Sequence, residues 1–292
     1  MNNATSFANY LLIDGALRPG ALASLYERHE MFEIDPLYLG TRWKDLYDLG
    51  PILVKPMSGS TLLSDWLVDE ALWADSTLIF SEASIQEVAT HLRRLISPLD
   101  CNGGSGLLRF ADPLVAHFWL SSFSGSENLH LGPIQHWWVA TPKQTWAPRS
   151  QLPWQTFSGR HAGLPWDNHC ALLGPDQILA LERTQHWRFL GRVHAWICER
   201  NPSFFLDMSG AQITDWLDSS LNAGLEWGLV SERGLVIWIE ACADDGQDFA
   251  TRPHGHYQKW LTLDPAHARL SPEARIKAFD AHRYAQKDNA HG

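Results

Sequence analysis

Between Asn9 and Ala140 short apolar runs alternate with stretches of helical periodicity. Such a chain buries its apolar side chains by layering helices on a sheet. Asn9–Asp14 (NYLLID), Ile52–Lys55 and Thr77–Ser81 (TLIFS) read as strands, the second introduced by Gly50 and Pro51. Gly20–His29 brings Leu22, Leu25 and Tyr26 to one helical face, and Ser60–Trp73 does the same for Leu62, Leu63, Trp66, Leu67 and Ala71.

Ser84-Ile85-Gln86-Glu87 fits a capping box, in which the Ser hydroxyl and Glu carboxylate satisfy free N–H groups at a helix start. The helix it opens buries Ile85, Val88, Leu92, Leu95 and Ile96, and ends near Arg93 and Arg94, which suit the negative end of the helix dipole. Cys101–Gly106 (CNGGSG) is a turn leading to an expected strand at Leu107–Phe110. Asp112 followed by Pro113 is an N-cap with proline at the first helical position, so a helix carrying Leu114, Val115, Phe118 and Trp119 is predicted there. Gly132 and Pro133 reopen an apolar strand, Ile134–Ala140.

From Thr141 to Gly174 the pattern breaks, with Pro142, Pro148, Pro153 and Pro165 among polar residues and three tryptophans, which reads as a linker or crossover. Helices are predicted at Pro175–Arg200, stopped by Asn201 and Pro202, and at Ile213–Gly224 and Pro272–Ala285. Leu235–Ala243 fits either element, and the polar tail Gln286–Gly292 is expected to fray. The expected fold class is α/β, with a mixed α/β lobe at 1–140, a Pro/Trp-rich crossover at 141–174 and a mostly helical lobe at 175–292.

With 292 residues, 45% of them apolar, the chain can bury substantial cores. Its 23 Lys and Arg stand against 33 Asp and Glu, and a net charge of -10 opposes binding to a phosphate backbone, so no nucleic-acid partner is expected. The longest apolar run, Leu235–Ile239, is too short to span a bilayer, and Met1–Ala8 lacks the features of a secretory signal. The four cysteines, Cys101, Cys170, Cys198 and Cys242, are scattered. A cytoplasmic, reducing location is therefore expected, with no membrane partner.

Known chemical motifs are sparse. Gly103-Gly104-Ser105-Gly106 lacks the spacing of a nucleophile elbow and precedes an expected strand. No glycine cluster leads into a helix with the residues that hold phosphate, and no cofactor is expected. His161, His169, Cys170, His254 and His256, with Asp167, lie in irregular stretches and raise the alternative of a metal-dependent hydrolase, because zinc needs three or four converging N, S or O ligands. In a Trp-rich chain these residues read more simply as hydrogen-bonding groups. Asp112 reads as a helix cap, and Glu240, Asp244 and Asp245 fall where a solvated turn is expected. No catalytic or metal residue is assigned, and the chain reads as a non-enzyme.

Fifteen tryptophans make recognition the stronger theme, because Trp joins a large apolar area to one N–H group and concentrates at interface centres. Trp137 and Trp138 are adjacent in a strand, so their rings face opposite sides of a sheet. Either both sides are covered or one ring is exposed. Trp138, Trp146, Trp154 and Trp166 are the candidate partner-binding residues.

Tyr10–Ala16 (YLLIDGA), Gly50–Val54 (GPILV), Ser84–Ile96 with its HLRRL, Leu108–Pro113 (LRFADP) and Gly132–Trp138 (GPIQHWW) together resemble the DUF4123 family. The likeness continues through Ala223–Glu232 (AGLEWGLVSE) and Phe249. Members often carry an aromatic before the glycine-proline and after the Arg-Phe, where this chain has Leu131 and Ala111. The resemblance implies an effector chaperone, or adaptor, of the bacterial type VI secretion system. Such a protein binds a cognate secreted effector (toxin) and helps load it onto the C-terminal region of the VgrG spike protein. A structural scaffold component of the same machine is the remaining alternative.

Overall fold

Strand β1 (Tyr10–Asp14) is buried at every position, which explains an apolar run with no polar alternation: both of its faces are covered. The computed structural model describes residues 8–99, 103–123, 129–147, 154–159 and 173–291. These fall into two units, the first comprising described residues up to 143 and from 154 to 185, the second residues 144–147 and 186–291.

In the first unit β1 sits inside a sheet with β2 (Phe32–Pro36), β3 (Pro51–Pro56), β4 (Ser76–Phe80), β5 (His136–Ala140) and β6 (Trp154–Ser158). The order is β2-β3-β1-β4-β5-β6 and each described pairing is antiparallel. Tyr10 and Leu12 face one core with Leu53, Ile79 and Trp137, under α3 (Ile85–Ile96) and α4 (Pro113–Ser121). Leu11 and Ile13 face the other with Ile52, Val54, Leu78 and Trp138, under α1 (Ala21–Glu27) and α2 (Leu62–Val68). Each fully buried Leu or Ile in such a layer contributes roughly 1.5–3 kcal/mol relative to exposure.

The caps form as their sequence predicts. Ser84 Oγ accepts from Glu87 N while Glu87 accepts from Ser84 N, and Asp112 accepts from Leu114 N and Val115 N.

Several expectations need correction. Leu107–Phe110 is not a strand: Leu108 N donates to Ile96 O at 2.9 Å, and Phe110 reaches the core from irregular backbone, edge-on to Trp137. The Ser60–Trp73 pattern divides at Asp69, whose carboxylate accepts from Ala71 N at 2.9 Å and opens a separate 3-10 turn. Tyr26 is exposed and Phe118 only half buried, so the stripes of α1 and α4 are narrower than periodicity suggests. Strand β2 lies outside the predicted strands: FEIDP alternates apolar Phe32 and Ile34 with Glu33 and Asp35, but acids and a proline, residues depleted in strands, make up three of its five positions. The stretch 141–174, expected to be a connector, contributes β6 to the sheet.

In the second unit the last part of α5 (Pro175–Arg200) is followed by α6 (Gly210–Glu226), α7 (Glu232–Asp245), α8 (His256–Leu263) and α9 (Pro272–His291). Ser209 and Gln212 form a second capping box, and Ser231 caps α7 by accepting from Gly234 N at 3.0 Å. The ambiguous Leu235–Ala243 is therefore helical. Its apolar run comes from burial on most sides, with Leu235, Ile237, Trp238, Ile239, Ala241 and Cys242 all inside. Trp238, Phe249, Tyr257, Trp260 and Phe279 make an aromatic centre, with Phe249 and Phe279 stacked. The tail expected to fray is helical through His291.

Candidate functional site

Where β1 ends, Asp14 turns the chain. Its Oδ1 accepts from Ala16 N and Leu17 N, each at 3.0 Å, and from Arg109 Nη2 at 2.8 Å. The carboxylate is almost wholly buried, which pushes its pKa above the ordinary value, and the Arg109 charge pulls it partly back. Two glycines bring the neighbouring loops close. A Cβ on Gly15 would overlap the Asp48 carbonyl, and one on Gly50 would overlap the Tyr38 ring, while Gly15 N donates to Gly50 O at 3.0 Å. The motifs YLLIDGA, GPILV and LRFADP thus meet at one end of the sheet, where their polar groups close turns and cap α4. Leu17, Leu46, Tyr47 and Leu49 are exposed in the loops of this end.

A second meeting joins HLRRL to GPIQHWW. Gly132 adopts φ +54°, and a Cβ there would overlap the His91 ring, so only glycine brings this backbone against α3. His91 Nε2 lies 2.9 Å from His130 O, and the His130 ring stacks on Phe123 at 3.8 Å. Burial lowers His91 to about 4 and His130 to about 3, so both are neutral near pH 7. Arg93, in the same motif, pairs with Asp35 and donates Nε to the carbonyls of Leu37 and Leu39, tying α3 to the end of β2.

The four candidate tryptophans are not brought together. Trp138 is 2% exposed and packs in the core beneath α1 and α2, so it offers no surface to a partner. Both faces of its strand are covered, which is the plainer of the two readings of the Trp137-Trp138 pair. Trp154, on β6, is half buried, stacked on Trp66 at 4.5 Å and edge-on to Trp73 at 4.0 Å. Trp146 belongs to the second unit, where Nε1 donates to Thr214 Oγ1 at 3.0 Å and the ring lies 4.3 Å from that of His194. Trp166 lies outside the described residues.

The histidines expected in loops also have separate surroundings. His256 opens α8 and its Nδ1 lies 2.8 Å from Asp245 Oδ1, whereas His254 occupies a left-handed turn at φ +60°. His161, Asp167, His169 and Cys170 lie outside the described residues. Among the described residues no three His, Cys, Asp or Glu side chains converge as ligands. Glu240, Asp244 and Asp245 lie on α7, not in a solvated turn. Glu240 engages Arg200 and Tyr284, and Asp244 pairs with Arg283. Sequence reading missed the Asp14–Arg109 junction, for which the acid-glycine step after β1 was the one available signal.

Residues 9–128 match the family described as Domain of unknown function (DUF4123), which is the first unit from β1 past α4. Over that stretch the chain is similar to DUF4123 domains. The match stops before GPIQHWW and AGLEWGLVSE, so it covers less of the chain than those motifs suggest. Accessory protein VasW of Vibrio cholerae serotype O1 is 29% identical over 113 residues, 39% of this chain and 37% of that protein, so the likeness spans just over a third of the relative. No solved structure matches. Among the described residues no helix is long and apolar enough to cross a membrane.

Proposed function

From the DUF4123 match over residues 9–128, we propose that this chain is a non-catalytic, cytoplasmic adaptor of type VI secretion. It binds a cognate secreted effector and helps load that effector onto the C-terminal region of the VgrG spike. The domain match over residues 9–128 carries the reading, and the likeness to a protein named as an accessory protein supports it.

The physical work of such an adaptor is recognition. The polar residues of the DUF4123 motifs are spent on turns and caps, which leaves surface for binding: Leu17, Leu46, Tyr47 and Leu49 stand exposed around the Gly15–Asp48 junction. Held against such apolar surface, an effector segment is shielded from aggregation until it reaches the spike.

The test is co-purification of the full chain with the toxin and the spike protein encoded beside its gene. Both are expected in the pull-down at micromolar concentration. Binding to neither ends the proposal, and recovery of this chain in the secreted spike would identify a scaffold component instead.

A further inference from the structure

Strand β2 closes one edge of the sheet, with β3 as its only strand neighbour among the described residues. Met57 N donates to Met31 O and Leu37 N to Pro51 O, so in this register residues 31, 33, 35 and 37 turn their backbone groups toward β3. Alternation then aims the N–H and C=O of Phe32 and Ile34, and the C=O of Pro36, out of the sheet. None of these groups has a hydrogen-bond partner among the described residues. Met31, which leads into the edge strand, is 73% exposed. An open ladder of this kind is a template for one more strand.

We propose that the β2 edge binds an extended segment of a partner protein in which basic and β-branched apolar residues alternate. Phe32 and Ile34 pack on the core beneath α1 and α2, so partner residues on that side continue an apolar layer. Glu33 and Asp35 lie on the opposite side of the strand. Asp35 is engaged by Arg93, whereas Glu33 has no ion pair among the described residues, because Lys55 across the ladder lies over the Tyr10 ring. A Lys or Arg facing Glu33 supplies the missing charge.

The same acids disfavour a second copy of this chain as occupant. Antiparallel self-pairing centred on Glu33 sets Glu33 against its symmetry mate, and pairing centred on Ile34 sets Glu33 against Asp35. Like charges directly opposite one another destabilise a ladder. The inference stands apart from the secretion reading, since failure to bind toxin or spike leaves the β2 edge unchanged.

The experiment uses the full chain and a seven-residue peptide of alternating valine and lysine. Peptide binding is expected to slow hydrogen exchange at the Phe32 and Ile34 amides. A peptide with glutamate in place of lysine should bind at least tenfold more weakly, and Glu33→Lys should reverse that order. N-methylation of the peptide at alternate residues should abolish binding without any change to the protein. Unchanged exchange at Phe32 and Ile34, or an order indifferent to Glu33→Lys, overturns the proposal. So does light scattering that shows a dimer dissolved by Ile34→Pro, which would make a second copy the occupant.

Discussion

The Asp14 carboxylate and the Arg109 guanidinium, 95 residues apart in the chain, meet at 2.8 Å and join the end of β1 to the loop that leads into α4. Asp14 is buried and Arg109 only partly so, which makes the arginine the removable half of the pair.

Arg109→Ala is expected to lower stability by about 1–3 kcal/mol, because it strands a buried carboxylate. The folded-state pKa of Asp14 is raised, so its contribution is full at low pH and is lost as pH rises through the folded value. Removing Arg109 raises that value further. Urea unfolding should therefore show a larger deficit at pH 7 than at pH 4, and an equal deficit at both would refute this account.

Gly132→Ala should cost about 2–4 kcal/mol, combining a left-handed backbone with overlap on the His91 ring. His91→Ala in the same chain should recover part of the overlap but none of the backbone cost. A double-mutant cycle with no coupling between the two sites would place the strain elsewhere.

Acid should unfold the first unit progressively below pH 6.5. His91 and His130 bind protons at about 4 and about 3 when folded, against an ordinary value of 6.5. Their contribution is therefore complete above the ordinary value and is lost as pH falls toward the folded values. Each neutral imidazole adds a slope of about 1.4 kcal/mol per pH unit in that window, and His117, also lowered by burial, acts in the same direction. His91→Gln should flatten the profile between pH 6 and 5 by roughly one such increment. Parallel profiles for the two proteins would show that His91 is not titrating.

Trp138→Asp should unfold the first unit, since an unpaired carboxylate would enter a closed core, whereas Trp154→Ala should cost about 2 kcal/mol and leave it folded. Trp146→Ala should loosen the second unit alone, through the lost Thr214 bond and His194 packing. Circular dichroism and melting curves separate the three, and a folded Trp138→Asp chain would contradict the burial of that ring.

Local interactions were legible from the chain itself. Ser84 with Glu87, Asp112 with Pro113, and the runs that became β1, β3, β4 and β5 act over a few residues, so their pattern carries their structure. What depends on distant neighbours was not legible. FEIDP is a strand because β3 offers it a ladder, and Leu107–Phe110 is irregular although apolar because Phe110 is held by Trp137 and Leu108 by Ile96. The run Leu235–Ala243 is a helix because other helices surround it. The candidate tryptophans show the same limit: residue type marks Trp138 and Trp154 alike, and only the layers above and below the sheet decide that one ring is sealed and the other half open. Side-chain chemistry is written residue by residue, but burial and pairing belong to residues far apart in the chain, and those are settled when the sheet closes around them.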